Sequence, residues 1–125
     1  MESGKFEDMR RSMVDSQLRP SGVTESWVLA AMGSIAREDY VPVSHQNTAY
    51  MDRSLELENG ETLNPPVSTA LLLQAADVRA DDNVLLIGQA NGYVAAILKT
   101  RSAHVTTTAA DNLGSASANA PYTCI

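Results

Sequence analysis

The sequence predicts an α/β fold built around one parallel βαβ unit, with a helical segment ahead of it, and three observations carry that reading. Val84-Leu85-Leu86-Ile87 is a continuous apolar run closed by Gly88, the pattern of a short parallel strand buried on both faces. Tyr93 to Lys99 is apolar enough for the helix that follows. Ala103 to Thr108 then sets Val105 before three consecutive threonines, a β-branched run suited to a second strand. Strand, helix and strand in that order make the unit.

Taken from the start, Met1 to Leu18 mixes charges with Phe6, Met9 and Met13 at spacings of three and four, which predicts a short amphipathic helix. Arg19-Pro20-Ser21-Gly22 breaks it. Thr24 is placed to cap a second helix, whose apolar stripe is Val28, Met32 and Ile35. Trp27, near its start, reads as a core or interface anchor. This helix ends near Arg37, because Tyr40-Val41-Pro42 favours an extended backbone before the proline.

Pro42 to Gly60 has no sustained period and reads as a loop-rich connection. Within it Leu55 and Leu57 alternate with Glu56 and Glu58, so the acidic residues, with Glu61, form the solvent face of an extended segment. Asn64-Pro65-Pro66 starts a third helix that continues through Ala70 to Ala76. Asp81-Asp82-Asn83 is a turn into the first strand. After Ala109 the composition shifts to Ala, Ser, Asn and Gly, and no structure is assigned to it. The expected organisation is a helical and loop segment over 1–60, the start of the α/β domain over 61–109, and a weakly structured tail over 110–125.

Composition narrows the function. With 44% hydrophobic residues and only 5% aromatics among 125 residues, the chain can form a core, and that core is aliphatic. A formal charge of −6 opposes partnership with nucleic-acid phosphates or an anionic membrane surface. No apolar run reaches the roughly 18 residues a membrane span needs, and Met1 to Ser12 lacks a signal-peptide core, so a cytoplasmic location is expected. The single Cys124 excludes an internal disulfide and a multi-thiolate metal site. His45 and His104 stand apart without companion carboxylates at ligand spacing, so no metal is expected.

The turn Gly88-Gln89-Ala90-Asn91-Gly92 follows the first strand and opens the helix. In a βαβ unit that is where glycine lets a ligand approach the main chain. On spacing alone, two glycines four apart fit a ligand-binding turn and a plain tight turn equally.

A resemblance runs from about Arg10 to about Val105. Met13-Val14-Asp15-Ser16-Gln17-Leu18-Arg19-Pro20-Ser21-Gly22-Val23, then Val28-Leu29-Ala30-Ala31-Met32 and Arg37-Glu38-Asp39-Tyr40-Val41-Pro42, resemble in order the opening of bacterial protein-L-isoaspartate O-methyltransferases. Ala49-Tyr50, Asp52-Arg53 and Gly60-Glu61-Thr62-Leu63 resemble the loop region ahead of that family's first Rossmann strand, and Val84 through Tyr93 resembles its S-adenosylmethionine motif. The resemblance implies a Rossmann-like S-adenosylmethionine-dependent methyltransferase fold, here incomplete, and methyl transfer to the carboxylate of L-isoaspartyl or D-aspartyl residues in damaged proteins. It implies isoaspartyl-containing proteins or peptides as substrates. By the same likeness the cofactor-binding positions are Thr62, Leu63, Gly88, Gln89, Ala90 and Gly92, and the catalytic position is Asn64.

Four positions depart from the family pattern. Leu86 stands where the first strand usually carries an acid, Ala90 replaces the central glycine of the turn, and Asn64 stands where active members have serine. The acid expected at the end of the second strand falls at Ala109 or a neighbouring Thr, with Asp111 two places late. Asn64 therefore has two readings, a site residue or the cap of the helix at Pro65. The chain as a whole also has two: a methyltransferase, or an inactive or truncated family member acting through self-association at an open sheet edge.

Overall fold

The structure is a computed structural model that describes residues 2–57, 60–88, 92–108 and 123–124. The first helix, α1, spans Glu2–Met13 and carries Arg10 and Arg11 in its last turn, where cations complement the helix dipole. Its continuation, Val14–Leu18, widens into a π turn closed by the Arg19 amide on the Val14 carbonyl at 3.1 Å. Val14 and Leu18 are buried by this turn.

Helix α2 spans Ser26–Ser34 and buries Val28, Leu29, Ala31 and Met32. Two expectations are corrected here. Thr24 does not cap α2: the Gln74 side-chain oxygen accepts from the amides of Thr24 at 2.7 Å and Glu25 at 2.9 Å, while its nitrogen donates to the Gly22 carbonyl at 3.0 Å. No side chain caps α2, and Gln74, from a later helix, instead anchors the main chain that leads into it. The helix also stops three residues short of Arg37. Ile35 and Ala36 are extended, and Arg37–Tyr40 forms a separate 3₁₀ turn. The break lets Arg37 turn into the core, where it is fully buried.

A second 3₁₀ turn, Val43–Thr48, leads to the short antiparallel pair β1 (Leu55–Glu56) and β2 (Thr62–Leu63). Leu55 and Leu63 face the core, and Glu56 is exposed as the alternation requires. Helix α3 spans Pro66–Ala76. Asn64 is not its cap, because Pro65 occupies that position and the Asp52 carboxylate accepts the Val67 amide at 3.0 Å from outside the helix. Proline at N1 suits the start.

The sheet has the order β4-β3-β5, all parallel, with β3 at Asn83–Ile87, β4 at His104–Thr108 and β5 at Thr123–Cys124. Val84, Leu85 and Leu86 are buried in succession, as a central parallel strand demands. Helix α4, Tyr93–Lys99, covers the sheet with Tyr93, Ala95, Ile97 and Leu98. Where the sequence reading assigned no structure after Ala109, a third strand pairs Val84 with Thr123 and Leu85 with Cys124. A central strand has two hydrogen-bonding edges, and a two-residue partner is too short to leave a periodic trace. The rest of the tail lies outside the described residues.

Trp27 is half-buried, with the Arg101 guanidinium 5.9 Å from its ring and donating to the Val78 carbonyl at 2.9 Å. Among the described residues no helix is long and apolar enough to cross a membrane, and no group of three or more His, Cys, Asp or Glu side chains could hold a metal ion.

Candidate functional site

Gly88 ends β3 with a left-handed φ of +73°, and its amide continues the ladder by donating to the Thr108 carbonyl at 2.9 Å. A Cβ added there would meet nothing within 4 Å, so the need for glycine is conformational and the backbone faces open space. β4 and β5 lie on opposite sides of β3. The chain order therefore reverses at this strand end, and open α/β sheets bind ligands in the crevice outside the carboxyl ends of their strands at such a point. Gly92, with φ +90°, turns the chain into α4, and its carbonyl accepts the Ala96 amide at 2.9 Å. Gln89, Ala90 and Asn91 lie between them, outside the described residues, as do Ala109 and Asp111.

Thr62 is exposed, Leu63 is buried in the core, and Asn64 is exposed. Any contribution of Leu63 to a ligand is therefore through its main chain. The Asn64 carbonyl accepts a hydrogen bond from Arg37 Nη2 at 3.0 Å. Leu86, at the departure in the first strand, is buried.

Arg37 connects these pieces. Its Nε donates to the Ala49 carbonyl, its Nη2 donates to Asn64, and its guanidinium lies 5.0 Å from the centroid of the Tyr93 ring. Tyr93 follows Gly92 directly and is itself fully buried. Tyr40, from the same 3₁₀ turn as Arg37, packs its ring 5.6 Å from that of Tyr93, and its Cε1 would lie 3.7 Å from a Cβ on Gly92. Burial pulls the Arg37 guanidinium below its ordinary pKa, opposed by its contacts with the Tyr93 hydroxyl and by the charge of Asp52. Burial likewise raises the Tyr93 hydroxyl, opposed by Arg37.

Behind Arg37 a second set of polar groups is buried. The Tyr50 hydroxyl donates to Glu38 Oε1 and accepts from Arg10 Nε at 2.8 Å and from the Arg37 amide at 3.0 Å, so its capacity is filled. Arg10 Nη2 pairs with Glu38 Oε2 at 3.2 Å. Burial and the Glu38 hydrogen bond push the Tyr50 pKa up to about 12, against the opposing contacts of Arg10. None of Arg10, Arg37, Glu38, Tyr50 or Tyr93 stood out from spacing. A buried cation has no periodic signature, and the trace available was the run Arg37-Glu38-Asp39-Tyr40-Val41-Pro42.

The profile of the protein-L-isoaspartate(D-aspartate) O-methyltransferase family matches residues 9–112. The chain belongs to this family. It is 39% identical over 92 residues to a protein-L-isoaspartate O-methyltransferase 2 of Anaeromyxobacter sp., covering 74% of this chain and 38% of that protein. It is 37% identical over 105 residues to a protein-L-isoaspartate O-methyltransferase of Methanoculleus marisnigri, covering 84% and 48%. A solved protein-L-isoaspartate O-methyltransferase superposes with a TM-score of 0.63 at 20% identity, over 93% of this chain and 41% of that one. The fold is thus an incomplete methyltransferase fold with a helical N-terminal segment, and the chain spans about half the length, or less, of the isoaspartate methyltransferases it matches.

Proposed function

We propose that this chain forms the cofactor-binding part of an isoaspartate methyltransferase, acting with S-adenosylmethionine on the carboxylate of L-isoaspartyl or D-aspartyl residues in damaged proteins or peptides. The observation that carries the reading is the exposed, left-handed Gly88 at the carboxyl end of the central strand, where strand order reverses. The residues fit such a cofactor. Open space at Gly88 admits a ligand to the main chain, and the left-handed φ at Gly88 and Gly92 favours glycine.

When bound, the cofactor supplies an electrophilic methyl group that a carboxylate oxygen takes up, giving an ester and S-adenosylhomocysteine. The chain's own share is orientation and exclusion of water. Thr62, the Leu63 backbone and Asn64 would line one side, and Gly88 and Gly92 the other. The Asn64 side-chain amide can donate to a substrate carboxylate and accept from a backbone amide, which a serine hydroxyl also does over a shorter reach.

Titration calorimetry with S-adenosylhomocysteine tests the reading. Micromolar binding, lost on addition of a carboxylate-bearing adenosine competitor, is expected; no heat at millimolar ligand would refute it. Incubation with radiolabelled S-adenosylmethionine and an isoaspartyl peptide, against the same peptide with normal aspartate, then tests the acceptor. Label in the isoaspartyl peptide alone is the expected outcome.

A further inference from the structure

Arg37 is a fully buried cation that donates to two carbonyls from separate loops, Ala49 and Asn64, and whose guanidinium carbon lies 5.0 Å from the centroid of the Tyr93 ring. Burying a cation is costly unless its donors are used, and this one is used to tie three stretches of chain that are far apart in sequence. A guanidinium is suited to that task because its donors are fixed in one plane and its face stacks on an aromatic ring. The Arg37 amide is in turn held by the Tyr50 hydroxyl, which is anchored on Glu38 and Arg10. Tyr40 completes the arrangement by resting against both Tyr93 and the Gly92 position.

We propose that Arg37 is the positioning residue of the cofactor site, fixing the main chain at Asn64 and the Gly92–Tyr93 entry to α4 relative to each other so that two segments from different parts of the fold form one cleft. This rests on the function proposed above for the use of the cleft, but not for its geometry. With its side chain fully buried, Arg37 is placed to act through the backbone it holds.

The test compares the parent chain with Arg37→Lys, Arg37→Met and, as a surface control, Arg79→Ala, whose pair with Asp77 is exposed. Hydrogen–deuterium exchange needs no ligand. For Arg37→Met, exchange at least tenfold faster is expected in both 61–67 and 92–96, with β3 at Asn83–Ile87 unchanged. Arg37→Lys keeps the charge over Tyr93 but lacks the planar fork. It is expected to loosen 61–67 more than 92–96. Parent-like exchange in both segments of Arg37→Lys overturns the proposal, as does an equal rise that includes β3, which would make Arg37 a general stabiliser. If Arg37→Met does not fold, Arg37→Lys decides alone. Calorimetry with S-adenosylhomocysteine adds the functional arm, where Arg37→Lys is expected to bind at least tenfold more weakly than the parent at similar Tm. No binding by the parent would sink the cofactor reading and leave the exchange result to judge the positioning role.

Discussion

Around Arg10, Arg37, Glu38 and Tyr50 the N-terminal half buries charges and a hydroxyl in one hydrogen-bonded network, whereas β3 and α4 bury aliphatic side chains with Tyr93 as the polar exception. The two regions constrain sequence differently. A buried strand tolerates many aliphatic combinations of the right volume. A buried polar network tolerates few, since each member must match its partners in donor count and geometry. Two members of the network, Arg37 and Glu38, open the run Arg37 to Pro42 on which the family resemblance partly rests.

Four substitutions would break or sharpen that contrast. Leu85→Ala, at the fully buried middle of β3, is expected to cost about 3 kcal/mol in denaturant unfolding, a transfer-and-cavity loss confined to the aliphatic region. Glu38→Ala should cost about 2 kcal/mol, because Arg10 and the Tyr50 hydroxyl lose their anionic partner in a buried setting. A smaller effect than that of an exposed pair, such as Arg79 with Asp77, would show that the network is not rigidly packed.

Tyr50→Phe should cost about 1.5 kcal/mol near neutral pH and changes the alkaline behaviour. The folded protein holds the Tyr50 proton more tightly than the unfolded chain does, with the pKa raised from 10.0 to about 12. That contribution is complete below pH 10 and lost as pH rises toward 12, so the parent should lose on the order of 2 kcal/mol more across this interval than the Phe variant. Tyr93 shifts in the same direction in both proteins. Parallel stability curves for the two would contradict the assignment.

Gly88→Ala is the smallest change in stability, about 1 kcal/mol from forcing a left-handed φ on alanine with no steric clash to add. Its expected mark is on ligand affinity, read by calorimetry with S-adenosylhomocysteine. Loss of stability without loss of affinity would separate the turn's conformation from binding.

The elements most legible in the sequence were those specified by their own residues. β3, α4 and β4 fall within a residue of their expected ends, because an uninterrupted apolar run, a closing glycine and a threonine run are local signals. Long-range partners left no such mark. Thr24 and Asn64 both have capping chemistry, yet Gln74 holds the approach to α2 from 50 residues away and Asp52 takes the first-turn amide of Val67 from 15 residues away. At the site, the glycines were legible and Arg37 was not: a charged residue after an apolar helix looks like solvent-facing surface until the fold supplies two carbonyls and a ring.

Gln74 has a consequence for the order of events during synthesis and folding. The main chain entering α2 emerges 50 residues ahead of the side chain that satisfies its amides. Until α3 docks, those amides must be held by water, and α2 begins as a nine-residue helix too short to persist alone. Formation of α2 is thereby tied to a contact of high sequence separation, the kind that slows a folding step by its loop-closure entropy. A nascent chain cut before residue 74 should carry α2 as a transient helix, and release of Gln74, near the end of α3, would be the moment at which it becomes permanent.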